Sequence, residues 1–146
     1  MHCWSVVVCR AVVVLLVGAL CCSEVRAELP PEAYRNMQAK SPEYLTIAVQ
    51  SVETQRSEDA NSVHIKVEAR AKVRTVQRSK GGVKEGEVIT IRYTHSGHKE
   101  PIAGPSAVPI LKKGAVCPAY LEKKGEWFGP AAGGYTFHTM APEPKQ

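Results

Sequence analysis

The chain has 146 residues, five cysteines and a formal net charge of +5 at pH 7. Such a length is enough for one domain and excludes a second domain of ordinary size. Its modest positive charge weakly favours anionic surfaces or polymers as partners.

The first 27 residues have the pattern of a secretory signal peptide. Ala11–Cys22 is an uncharged apolar run of 12 residues, which is shorter than the about 20 residues that span a bilayer. Small residues close the segment and predict cleavage after Ala27. Lipid attachment at Cys21 or Cys22 is an alternative, although the preceding Gly-Ala-Leu fits that pattern poorly. We therefore expect a secreted or periplasmic protein with no transmembrane span after cleavage.

Cleavage after Ala27 would leave 119 residues, with 17 basic and 13 acidic side chains and Cys117 as the sole cysteine. One cysteine cannot form an internal disulfide, so a packed core must hold the domain together. We predict a helical segment at 28–42, a β-barrel domain at 43–139 and a flexible tail at 140–146.

Glu28–Ser41 predicts a short helix that packs over an open end of the barrel. The segment begins near a proline pair and stops before Pro42. Proline suits the first helical turn and stops a helix from behind.

Val63–Val76 predicts the longest strand, because apolar and charged residues alternate along it. At ~3.3 Å per residue it would be about 45 Å long, roughly twice the usual strand length. Ala69 and Ala71 are small enough to permit a sharp bend in its middle. The apolar phase slips between Val73 and Val76, which predicts a β-bulge or the end of the strand.

The remaining segments predict four further strands and an irregular connection. Thr54–Ser62 is polar and predicts a solvent-exposed loop. His95–Gly114 is too rich in proline and glycine for a helix, and its apolar residues predict a loop pinned onto the barrel. The four strands are predicted at Tyr44–Glu53, Glu87–Thr94, Ala115–Glu122 and Tyr135–Thr139. Five strands with one short helix indicate an all-β, OB-like barrel.

The pattern resembles the netrin-like modules, a group of exported OB-folds that includes the tissue inhibitors of metalloproteinases. The resemblance rests on the short helix, on the Val63–Val76 strand, on the G-E-V-I-T-I-R-Y strand and on the segment I-L-K-K-G-A-V-C-P-A-Y-L-E-K-K-G. It implies a five-stranded netrin-like barrel with a protein-binding role.

The inhibitory mechanism of that family is not implied here. Those inhibitors chelate an enzyme's zinc with a cysteine at the mature N-terminus and are stapled by disulfides. In this chain the predicted mature N-terminus is Glu28, and no disulfide is possible after cleavage.

His95 and His98, with Glu100 nearby, form an H-x-x-H pattern that could bind a divalent metal. The pattern has no third ligand at a fixed spacing and no helix to set its geometry. We therefore favour a solvated loop tip and keep metal binding as the alternative function.

Cys117 is the only candidate nucleophile of the mature chain, because no Ser-His-Asp triad, phosphate-binding loop or paired-carboxylate cleft is evident in the sequence. Its neighbours in the predicted strand are apolar or proline, which favours a packing role. We accordingly expect no enzyme and no cofactor, and keep a small hydrolase or thiol enzyme as a third hypothesis.

The outward face of the long strand presents basic side chains interrupted by Glu68. They could contact an anionic polysaccharide or an acidic protein surface, or could simply keep the strand soluble. Nucleic acid is not expected, because this face carries no aromatic residue for stacking. The basic residues concerned are Lys66, Arg70, Lys72 and Arg74, with His64 beside them.

Trp127 and Phe128 are adjacent, so in a strand they would point to opposite faces and at most one would be buried. Either could contact a partner or a sugar ring, or could fill the core. We predict an exported, monomeric, non-enzymatic module that binds an extracytoplasmic protein or polysaccharide through the loops His95–Pro109 and Trp127–Gly134.

Overall fold

The computed structural model describes residues 28–140 of the chain. The predicted signal peptide, with Cys21 and Cys22, and all but the first residue of the predicted tail lie outside this range. None of the described helices is long and apolar enough to cross a membrane. In chain order the elements are α1 (Pro31–Lys40), β1 (Glu43–Glu58), β2 (Ser62–Ser79), β3 (Val88–His98), β4 (Val116–Lys124), β5 (Trp127–Pro130) and the 3-10 helix Gly133–Tyr135.

The five strands form one closed barrel in the order β1-β2-β3-β5-β4. β1 pairs antiparallel with both β2 and β4, which joins the two sides of the sheet. β3 and β5 are parallel and meet at Ile91 and Phe128. The predicted all-β, OB-like class with a short N-terminal helix is therefore confirmed.

The barrel interior is filled by one side of each strand. On β2 the buried residues alternate with exposed ones, as the sequence predicts, and Ala69 and Ala71 have no exposed surface. The phase slip after Val73 corresponds to register shifts against β1, at which Arg74 and Gln77 have no directly opposite partner. Extra residues of this kind bend a strand and increase its twist, which lets a long strand follow a small barrel.

β1 and β3 are both longer than the sequence predicts. Thr54–Glu58, predicted as part of a loop, continues β1 and pairs with the first half of β2. His95–His98, predicted as irregular, continues β3 on the other side of β2. Together with the first half of β2 these two segments form a three-stranded extension of the barrel. Thr54–Glu58 is exposed throughout, and the β2 and β3 residues of the extension are at most partly buried up to position 66. The full burial of one face, which imposes alternation on a strand, is therefore missing in most of the extension.

The last strand lies earlier in the chain than predicted. A turn at Gly125, where φ is 69°, sends the chain directly from β4 into β5 at Trp127. Tyr135, placed in a strand by the sequence analysis, instead ends a 3-10 helix closed by a hydrogen bond from its N–H to the carbonyl of Ala132. The prediction of a Tyr135–Thr139 strand is wrong.

The N-terminal helix packs against the 3-10 helix and the segment that follows it. The Gln38 side chain donates hydrogen bonds to the carbonyls of Tyr135 and His138, at 2.9 and 2.6 Å. The rings of Tyr34 and Tyr135 have centroids 4.6 Å apart. Arg78 of β2 donates to the carbonyl oxygens of Gln38 and Ser41. These bonds join α1 to β2 and to the C-terminal segment.

Candidate functional site

The outer face of β1, β2 and β3 carries polar side chains in cross-strand rows. Even-numbered residues of β2 from Lys66 to Lys72 are exposed, while the odd-numbered residues between them are buried. The register of both strand pairs places their partners on the same face. Two adjacent rows form the centre of this face: Gln55, Lys66 and Thr94 in one, and Glu53, Glu68 and Arg92 in the other.

A groove of about 700 Å³ involves these two rows, near the point where the three-stranded extension leaves the barrel. Thr54, Val67, Tyr93 and Trp127 complete its lining. Ligand sites commonly have volumes of roughly 300–1,000 Å³. The groove is therefore large enough to hold part of an extended ligand or the whole of a small one.

Trp127 enters the groove because of its place on β5. Phe128 lies opposite Ile91 and is 4% exposed, so its side chain belongs to the barrel core. Neighbouring residues of a strand point to opposite faces, and the half-buried Trp127 lines the groove. Of the two adjacent aromatic residues predicted as contacts, Trp127 lines the groove and Phe128 is buried in the core.

The charges within the groove are balanced. Arg92 Nε donates to Glu68 Oε2 at 2.7 Å, across β3 and β2. The two side chains are 51% and 45% exposed, so solvent screens this ion pair and its main effect is to orient the guanidinium. Lys66 and Glu53 add one charge of each sign.

Arg70, Lys72 and Arg74 lie outside the groove. All three are exposed on β2. Arg70 occupies the row next to that of Glu68, and Lys72 the row beyond, while Arg74 is at a register shift. The predicted basic face is thus divided: Lys66 lines the groove, and the other three residues extend away from it.

A hydrogen-bonded chain of Asp59, His64 and Ser96 lies at the far end of the three-stranded extension. His64 Nε2 is 3.2 Å from Asp59 Oδ2, and His64 Nδ1 is 3.0 Å from Ser96 Oγ. Hydrogen bonds from the backbone N–H groups of Asn61 and Ser62, with a smaller contribution from His64, hold the pKa of Asp59 below its ordinary value.

Serine, histidine and aspartate are also the residue types of hydrolase triads. The arrangement was not predicted from the sequence, because Ser96 is 32 residues from His64. The side chains of His64 and Asp59 are 39% and 59% exposed. Catalytic electrostatics depends on a site that excludes water. We therefore assign these contacts to tying the turn between β1 and β2 onto β3.

The two histidines kept as metal ligands only in the alternative hypothesis do not face one another. β3 pairs regularly with β2 through His98, so residues three apart, His95 and His98, point to opposite faces. His95 Nδ1 lies 2.7 Å from the carbonyl oxygen of Val108, and Glu100 lies beyond the strand end. Within residues 28–140, no group of three or more histidine, cysteine, aspartate or glutamate side chains could hold a metal ion.

Cys117 is a free, half-buried thiol on β4, opposite Ile47 of β1. It packs against the core, and burial raises the pKa of its thiol. Because the thiolate is the nucleophilic form, this environment disfavours the thiol-enzyme hypothesis and agrees with a packing role.

The part of the groove that β1 supplies was not predicted from the sequence. Glu53 was placed at a strand end and Gln55 in a solvent loop, and only the register against β2 brings both beside Lys66 and Glu68. Arg92 lies within the third predicted strand, Glu87–Thr94, and the structure places it on the outer face opposite Glu68. The row to which it belongs depends on the turn lengths and bulges that set the register.

Comparison of the chain with protein families, curated proteins and solved structures found no match. The structure establishes a closed, five-stranded OB-like barrel. The resemblance to netrin-like modules stays a prediction.

Proposed function

We propose that the chain is an exported, non-enzymatic binding module that holds a protein or polysaccharide ligand in the groove on the outer face of β1–β3. The observation that supports this most directly is the groove of about 700 Å³ with Trp127 at its wall. A half-buried tryptophan offers a large, rigid contact surface with little conformational entropy to lose on binding.

The position of the groove on the barrel also supports a binding role. OB-folds bind extended ligands on the face of their second and third strands and with the loops beside it. Here the groove includes residues of β2 and β3, and Trp127 follows the turn between β4 and β5. One fold serves many functions, so the chemistry of the lining residues has to specify the ligand.

The proposal can be tested with the full chain by isothermal titration calorimetry against a panel. The panel contains a neutral glucan, an acidic polysaccharide, an acidic peptide and a neutral peptide. We expect at least one member to bind, and Trp127→Ala to weaken that binding about tenfold or more. Val116→Ala, which trims an exposed side chain on β4, is the control and should leave the affinity unchanged. If Trp127→Ala changes no affinity in the panel, the groove is not the binding site.

A further inference from the structure

The lining of the groove combines hydrogen-bond donors and acceptors around one aromatic wall. Glu53 and Glu68 offer carboxylate oxygens, while Lys66 and Arg92 offer N–H donors. Arg92 uses its Nε–H on Glu68, and a guanidinium has four further N–H donors. A ligand that matches such a surface must itself both donate and accept hydrogen bonds along its length, as the hydroxyl groups of a sugar do.

The number of aromatic rings available in the groove favours a sugar over a nucleic acid as the ligand. Tyr93 also lines the groove, but its hydroxyl donates to the carbonyl of Pro109 at 2.8 Å and accepts from the N–H of Leu111 at 2.9 Å. Its ring packs against Phe137. Trp127 is therefore the ring available for stacking, whereas single-stranded nucleic acids use several aromatic residues for successive bases.

The basic residues beside the groove indicate the charge of the ligand. Within the groove two cationic and two anionic side chains balance, whereas Arg70 and Lys72 in the following rows are exposed and both cationic. Residues two positions apart on a strand are about 7 Å apart. A ligand longer than the groove would therefore meet a row of positive charge as it leaves the groove.

We infer that the ligand is a linear acidic polysaccharide. Its carboxylate or sulfate groups reach Arg70 and Lys72, while one sugar ring packs on Trp127. This inference rests on the proposed function. An acidic peptide fits less well, because high-affinity contacts between proteins centre on well-packed, fully desolvated pockets, whereas most of the groove lining is exposed and polar. The apolar floor residue Val67 is 2% exposed.

The test measures the affinity of the full chain for four probes by isothermal titration calorimetry: polygalacturonate, heparin, neutral dextran and an acidic peptide. Comparison of polygalacturonate with heparin separates carboxylate from sulfate recognition. The variants are Trp127→Ala and the double variant Arg70→Ala/Lys72→Ala. Lys112→Ala/Lys113→Ala removes the same charge from two exposed lysines on the connection before β4 and is the matched control. Circular dichroism checks that each variant is folded.

We expect polygalacturonate or heparin to bind and dextran not to bind. Trp127→Ala and Arg70→Ala/Lys72→Ala should each weaken binding about tenfold or more, and the lysine control much less. If the two double variants lose affinity equally and Trp127→Ala has no effect, the binding is general charge attraction, which would overturn the inference. Binding of dextran or of the peptide alone through Trp127 would overturn the inference while leaving the proposed function intact. Absence of binding to every probe would overturn the inference, and the proposed function would fail as well if the neutral peptide of the first panel also did not bind.

Discussion

At the scale of single residues, the contact between Glu43 and Gly81 shows how closely the chain packs where β1 begins. Glu43 is fully buried, and its Oε1 accepts a hydrogen bond from the N–H of Gly81 at 2.6 Å. A Cβ atom at position 81 would lie 2.7 Å from the same oxygen. Glu43 Oε2 has no hydrogen-bond partner among the described residues. Glycine is thus required at position 81 for this close approach.

We predict that Glu43→Ala lowers the free energy of unfolding by about 1–3 kcal/mol, because the partly buried N–H of Gly81 loses its acceptor. Glu43→Gln should cost less, since its amide oxygen can accept the same hydrogen bond. Urea denaturation of both variants measures the difference. If both variants lower the free energy of unfolding equally, the hydrogen bond is not what stabilises this site.

Tyr93 predicts a loss of stability at alkaline pH. Burial raises its pKa from 10.0 to about 12. Between these two values the unfolded chain ionises this tyrosine and the folded chain does not. Its contribution to stability is therefore fully present below pH 10 and is lost as the pH rises towards 12.

Spectrophotometric titration of the tyrosines checks this directly. The difference between the wild-type protein and Tyr93→Phe should be one group that titrates near pH 12. A difference spectrum that titrates at the ordinary value would contradict the burial of this hydroxyl between Pro109 and Leu111.

The sequence predicted correctly which face of a strand a side chain occupies where alternation along that strand alone determines it. Alternation placed Lys66, Arg70 and Lys72 on the outer face of the long strand, as observed. It could not decide between Trp127 and Phe128, because the answer depends on which of them meets Ile91 across the sheet. Glu43 was not identified, since a charged residue at a strand start is usually solvated.

At the scale of elements, the connection between β3 and β4 is held by a few specific contacts. Val108 and Pro109 contribute carbonyl oxygens that contact the side chains of His95 and Tyr93. This agrees with the predicted pinned loop. At Ser106 the connection also passes very close to Gly134, where an added Cβ would lie 2.7 Å from the carbonyl oxygen of Ser106.

Gly134→Ala should therefore displace this connection and lower the free energy of unfolding by about 1–3 kcal/mol, the usual cost of overpacking. Thermal unfolding measures the effect. Gly104→Ala is the matched control in the same region, because nothing lies within 4 Å of an added Cβ there, and it should be close to neutral. If both variants behave alike, the close approach of Gly134 to Ser106 does not constrain the connection.

The bounds of a strand could be predicted from the sequence where one face of the strand is buried, and not where both faces are exposed to solvent. The central part of β2 alternates because it lines the barrel, and its prediction is confirmed. The ends of β1 and β3 extend beyond the barrel, so their residues do not alternate. Their strand character comes from pairing with β2, which is a long-range property of the fold.

At the scale of the whole molecule, barrel closure and the three-stranded extension together create the groove. Closure on β4 and β5 places Trp127 beside β3, and the extension brings residues from β1 into the same surface. The sequence predicts the fold class and two groove residues, Lys66 and Trp127. Glu68 was also placed on the outward face of β2, but the residues from β1 and β3 became neighbours of Lys66 and Glu68 only through the strand register, because they come from segments far apart in the chain.

The proposed binding surface is tested most directly by nuclear magnetic resonance of the ¹⁵N-labelled full chain during titration with polygalacturonate. We predict that the largest shifts occur in the Trp127 indole N–H, identified with Trp127→Phe, and in the backbone amides of residues 53–55, 66–68 and 92–94. Smaller shifts should extend to Arg70 and Lys72. Shifts confined to α1, to the turn at Asp59 or to the connection around Ser106 would contradict the account, because the ligand would then bind away from the groove.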